Sequence, residues 1–212
     1  MRNPIIREVC IDSYEQSKQA ILLGADRLEL CSKLHLDGLT PNKEDVYKII
    51  KNIKIPVKVM IRCRGGNFIY GDNEISLMET DIDLFKSIGI KKVVLGALTN
   101  FNTIDIETTI RLVDKASPME VTFHKAIDYT QNILGQIEIL SKVEGIKSIL
   151  TSGGAKTAEK GARKINQMIK FFGDRFKFIA AGSVTNTNLD KLSKSIKTNE
   201  FHGKKIVGNF FK

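Results

Sequence analysis

Residues 55–67 read IPVKVMIRCRGGN. Val57, Val59 and Ile61 alternate with Lys58, Met60 and Arg62, the period of two expected of a strand whose faces meet different surroundings. Pro56 marks the entry, where a missing backbone N–H is tolerated. At the far end Arg62, Arg64, Gly65 and Gly66 set two permanent cations beside backbone that bends freely. Such a loop reads either as a salt-bridged turn or as part of a functional mouth.

Working outward, strand and helix signals alternate. Strands are expected at residues 5–10, 26–31, 92–97, 120–124, 147–150, 176–181 and 200–202, besides the one just described. Helices are expected at residues 13–23, with Ser13 as N-cap, and at 42–52, 73–88, 105–116, 131–143, 157–172 and 186–195. Alternation with short connections argues for a parallel sheet, and eight units argue for a single-domain α/β fold, a closed (β/α)₈ TIM-like barrel over residues 1–212. Only residues 203–212 follow the last strand, so the eighth helix is expected to be short or missing.

At 212 residues the chain is long enough for one substantial core. It has no apolar run near the ~20 residues that span a bilayer, and MRNPIIREVC lacks a secretory h-region, so a cytoplasmic protein without a membrane partner is expected. The net charge of +9 permits weak attraction to anions, but the lysines are scattered and no basic block is interleaved with aromatics. A solvated lysine-rich surface and no nucleic-acid partner are expected. The cysteines, Cys10, Cys31 and Cys63, are too few for a disulfide scaffold and lack zinc spacing.

Strand parity predicts which side chains share the barrel mouth. Glu8 and Cys10 are two apart, as are Glu29 and Cys31, so each pair shares a face. A carboxylate facing the helix layer would be costly to bury, so both glutamates should point inward and carry the cysteines with them. The same test turns Arg62, Thr122 with His124, and Glu200 with His202 inward. Lys58 shares the Arg62 face but lies deeper, at the barrel floor. Lys125 has the opposite parity to His124 and is a poor Schiff-base candidate unless the strand has ended. Barrel enzymes carry their chemistry at this mouth; the structural alternative is a salt-bridge network of Glu8, Glu29 and Arg62 that fills the barrel.

The turns TSGG at 151–154 and AAGS at 180–183 each join a strand to a helix. The N–H groups of Gly153, Gly154, Gly182 and Ser183 are candidates to cradle an anion. Adjacent parallel strands lie about 4.8 Å apart, so Cys10 and Cys31 can face each other. Two thiolates suit Cu(I); a disulfide under oxidising conditions and plain apolar packing are the alternatives. No organic cofactor is expected.

The chain resembles the CutC family, named for copper homeostasis. EVCIDS at 8–13, GADRLELCSKLHLDGLTP at 24–41, IPVKVMIRCRGGNFIYGDNEI at 55–75, VTFHKAID at 121–128, LTSGG at 150–154 and EFH at 200–202 carry the resemblance. It implies a TIM-like barrel, a cytoplasmic location, often a homodimer, and copper handling, with Cu(I) assigned in some members to the cysteines matching Cys10 and Cys31. Cys63 stands where the family usually has proline, Gly203 where cysteine commonly follows EFH, and Ser183 where a further glycine is usual. Two functions are compatible with these residues, besides a third reading in which the copper association is indirect and the barrel binds a metabolite without turning it over. In one, Cys10 and Cys31 bind Cu(I), and the surrounding charges set access. In the other, an enzyme takes a small anionic, phosphorylated or sugar-like metabolite on Arg62 and Arg64, with His124 and Glu8 or Glu29 as the acid–base pair.

Overall fold

The computed structural model describes residues 4–210. Eight parallel strands close into a barrel in sequence order: β1 (Ile6–Ile11), β2 (Arg27–Leu30), β3 (Val57–Met60), β4 (Lys92–Leu95), β5 (Glu120–Phe123), β6 (Ile146–Thr151), β7 (Lys177–Ala180) and β8 (Glu200–His202). Between them run α1 (Tyr14–Leu22), α2 (Lys43–Asn52), α3 (Asp72–Ser87), α4 (Ile106–Ala116), α5 (Ile133–Ser141), α6 (Ala158–Phe172) and α7 (Leu189–Ser195). Among the described residues no helix follows β8, as the short stretch after it implied. Ile206 is buried there instead, and Val207 packs against the core.

Helix starts follow capping chemistry. The side chains of Ser13, Asn42, Asp105, Asn132 and Thr157 each accept a backbone N–H of the first turn. Outward strand residues, among them Val9, Leu28, Val59, Leu95, Phe123, Ile149 and Phe201, join the helices in one large apolar cluster. That is the layer in which helix-covered parallel strands bury one face.

The inward face is different. Its apolar residues form two small patches, Cys10, Cys31, Leu34, Met60 and Val94 in one and Leu150, Ile179 and Ala181 in the other. Charged groups occupy the space below. Register explains how they meet: Glu8 lies opposite Arg27 on β2 and opposite His202 on β8, while Glu29 lies opposite Lys58 on β3.

Arg27 Nε donates to Glu8, and Arg27 Nη2 donates to Glu200 Oε2 at 2.6 Å. Lys58 Nζ lies 3.0 Å from the fully buried Glu8. Truncating one member of such a set leaves an uncompensated buried charge, which costs about 3–5 kcal/mol. Arg27→Met is therefore expected to lower unfolding free energy by about that amount in urea titration; a loss below about 1 kcal/mol would contradict the assignment.

Candidate functional site

A cavity of about 1060 Å³ opens at the C-terminal ends of the strands, the end where barrel chemistry sits. Cys10, Glu29 and His202 line one side of it, Arg62, Phe68 and His124 another. The loop after β3 supplies Arg62 and Phe68, and a 3₁₀ turn at Lys125–Tyr129 follows His124. Lys204 Nζ donates to the Leu34 carbonyl at 2.6 Å, tying the segment after β8 to the loop after β2.

The thiols meet although they are not register partners. Cys10 lies opposite Glu29, and Cys31 sits beyond it on the same face, yet the two Sγ atoms are 3.7 Å apart. Both are free and buried. Cys31 Sγ also lies 3.5 Å from Glu29 Oε1. Ligand atoms of Cys10, Glu29 and Cys31 fall within 4.8 Å of one another, and so do those of Glu8, Glu29 and His202, so Glu29 joins both groups.

Electrostatics divides the pair. The hydrogen bond from Cys31 holds the Cys10 thiol well below the usual thiol range against the effect of burial, with His202 adding to it. Cys31 is pushed up by that same bond and by burial. Burial opposes a charge on His202, but Glu29, the Cys10 sulfur and Glu8 outweigh it and keep the imidazole protonated. Its Nδ1 lies 2.9 Å from Glu8 Oε1 and 3.6 Å from Glu29 Oε2. Glu8 would be raised by burial, yet Lys58, His202 and Arg27 hold it well below the usual carboxylate range.

The histidine bonded to a glutamate is thus His202, not His124. His124 is buried on β5's continuation, where its Nδ1 accepts from the Ala126 N–H at 3.3 Å. Burial, then the Arg62 charge, push it down to about 3, so it is neutral. Gly96 makes room for this ring, since a Cβ there would come within 2.7 Å of Nδ1. With no carboxylate bonded to His124 among the described residues, the structure does not assemble the expected His124–glutamate acid–base pair.

Arg62 reaches the cavity wall, but its Nη atoms donate to the carbonyls of Leu36, Gly38 and Gly66 at 3.0, 3.3 and 2.8 Å. A salt bridge of Arg62 to Glu8 or Glu29 does not form. Arg64 points elsewhere: it pairs with Glu74 and donates to the Ile69 carbonyl at 2.5 Å. It does not join Arg62 as an anion clamp.

Gly153 N–H donates to Thr151 Oγ1 and Gly154 N–H to Asp128 Oδ1, each at 2.8 Å, so that turn already holds a carboxylate of its own chain. Gly182 and Ser183 do line the cavity. So does Lys125, because β5 ends at Phe123; its Nζ lies 3.0 Å from Ser152 Oγ and 3.4 Å from Asp128. Arg27 was not singled out from sequence, although it shares the parity of Glu29.

A model of the CutC family matches residues 5–207. The chain belongs to the CutC family. It is 38% identical over 200 residues to the human copper homeostasis protein cutC homolog, covering 94% of this chain and 73% of that protein. A CutC family protein of Enterococcus faecalis is 32% identical over 210 residues, covering 96% and 100%. The crystal structure described as copper homeostasis protein CutC from Streptococcus agalactiae superposes with a TM-score of 0.90 at 28% identity, covering 95% of this chain and 99% of that one. Among the described residues of this CutC member, no helix is long and apolar enough to cross a membrane.

Within the charged set Glu29 has an unmet demand, since its Oε2 is buried without a hydrogen-bond donor. Burial pushes it up to about 7. A carboxyl that holds its proton more tightly folded than unfolded stabilises below its unfolded pKa of about 4.3. That contribution is lost as pH rises toward about 7. Glu29→Gln, a mimic of the protonated form, is expected to gain stability relative to wild type between pH 5 and pH 7 in urea unfolding of the metal-free protein. A difference that stays constant over that window would contradict the assignment.

Proposed function

We propose that this CutC family member binds Cu(I) through Cys10 and Cys31 and serves copper homeostasis in the cytoplasm. The observation that carries the reading is the pair of free thiols 3.7 Å apart, with Cys10 on the cavity wall and Cys31 buried behind it. Soft thiolate ligands favour Cu(I) over harder ions. A reducing compartment keeps such thiols available, and relatives that match most of this chain are named for copper homeostasis.

The surrounding charges fit that role. Cys10 enters as a thiolate, while Cys31 must lose its proton to bind a metal. Glu29 Oε1, 3.5 Å from Cys31 Sγ, is placed to accept that proton. Two thiolates and one Cu(I) leave one negative charge, which the protonated His202 beside Cys10 offsets. Glu8 orients His202 from below through its bond to Nδ1, the arrangement by which outer partners tune metal ligands. Copper in this reading is cargo.

An anaerobic Cu(I) titration against a competing chelator tests it. Wild type is expected to bind tightly and stoichiometrically. Cys10→Ser/Cys31→Ser should lose more than about 100-fold in affinity, beyond the ~10–100-fold that loss of an outer partner costs. Equal affinity in both proteins would overturn the site.

A further inference from the structure

On the β3–β5 side of the cavity a charge and a donor are left over. Arg62 is 3% exposed, and its Nη atoms bond the neutral carbonyls of Leu36, Gly38 and Gly66. Among the described residues no acidic side chain pairs with it, and its Nε has no aligned acceptor. Burial pushes the phenol of Tyr70, which lies against Arg62, up to about 12, so no anion compensates the guanidinium from there either. A buried cation without a counter-charge is costly.

His124 stands beside it. Because its Nδ1 accepts the Ala126 N–H, the ring proton sits on Nε2. That Nε2–H is buried, belongs to a cavity-lining residue and meets no acceptor. Unmet buried donors are rare enough to require a reason. The Phe68 ring packs on both groups, 4.7 Å from the Arg62 guanidinium carbon and 4.8 Å from the centre of the His124 ring.

We infer that this wall binds a small organic carboxylate, whose charge offsets Arg62 and one of whose oxygens accepts from His124 Nε2–H. The site uses residues other than the thiols and goes beyond the copper reading. One unpaired cation and one free neutral donor suit a monoanion. A phosphate would need more donors, and three candidates are engaged elsewhere: Gly153 N–H bonds Thr151, Gly154 N–H bonds Asp128, and Lys125 pairs with Asp128. Met60, Leu98 and Tyr129 supply apolar wall for the rest of the molecule. Entry requires the Phe68 side chain, which packs on both groups, to move aside.

Benzoate is the probe, with inorganic phosphate as the comparison anion, each titrated into the full chain by calorimetry and by NMR of the His124 ring. Benzoate is expected to bind wild type with a Kd below about 1 mM and to move the Nε2–H resonance. His124→Phe should weaken it by about tenfold or more, while His124→Gln, which keeps a donor, should stay within about threefold. Cys10→Ser/Cys31→Ser should bind benzoate as wild type does, even if it has lost copper. The inference is overturned if benzoate does not saturate wild type, if phosphate binds and benzoate does not, if the Nε2–H resonance stays fixed at saturation, or if His124→Phe binds unchanged. The resonance decides the matter in wild type even where a variant folds poorly.

Discussion

The carboxylate of Glu8, fully buried on the first strand, is held by three cations that arrive from three other strands. Arg27 comes from β2, Lys58 from β3 and His202 from β8. A single buried carboxylate would destabilise the barrel, and any one of the cations alone would do the same. Together they satisfy one another, and they do so only when the sheet is closed. The β1–β8 pairing that closes it is the pairing that puts His202 opposite Glu8. The pairing that closes the fold therefore also brings the site histidine to its carboxylate.

Glu29 sits one layer above this set and receives what is left of its field. His202 is shared between Glu8 and Glu29, with the shorter contact going to Glu8. Burial raises Glu29 to about 7, and it touches Cys31. The bond between the sulfurs, with His202 beside Cys10, polarises the thiol pair: one sulfur leans toward thiolate, and the other keeps its proton until something displaces it. Across the cavity, Arg62 and His124 answer to different constraints, with their bonds going to loop carbonyls and to the Ala126 amide.

The barrel was legible in the sequence because period-two alternation and capping residues act locally. Ser13, Asn42 and Asp105 cap their helices as their positions imply. Parity also turned Glu8, Glu29, Arg62 and His124 toward the interior, where all four are buried. What parity does not contain is the stagger between strands and the path of the loops. Stagger decides that Glu8 meets Arg27 and His202, and that Lys58, placed by parity at the barrel floor, is a counter-ion. Loop path decides that Arg64 turns to Glu74, and that Asp128 reaches 26 residues along the chain to fill the Gly154 turn. The early end of β5 frees Lys125 from strand parity in the same way.

Copper K-edge X-ray absorption of the anaerobically loaded protein tests the central claim most directly. The account predicts a Cu(I) edge with sulfur in the first shell, lost in Cys10→Ser/Cys31→Ser. A first shell of nitrogen and oxygen alone, unchanged when both cysteines are replaced, would contradict it.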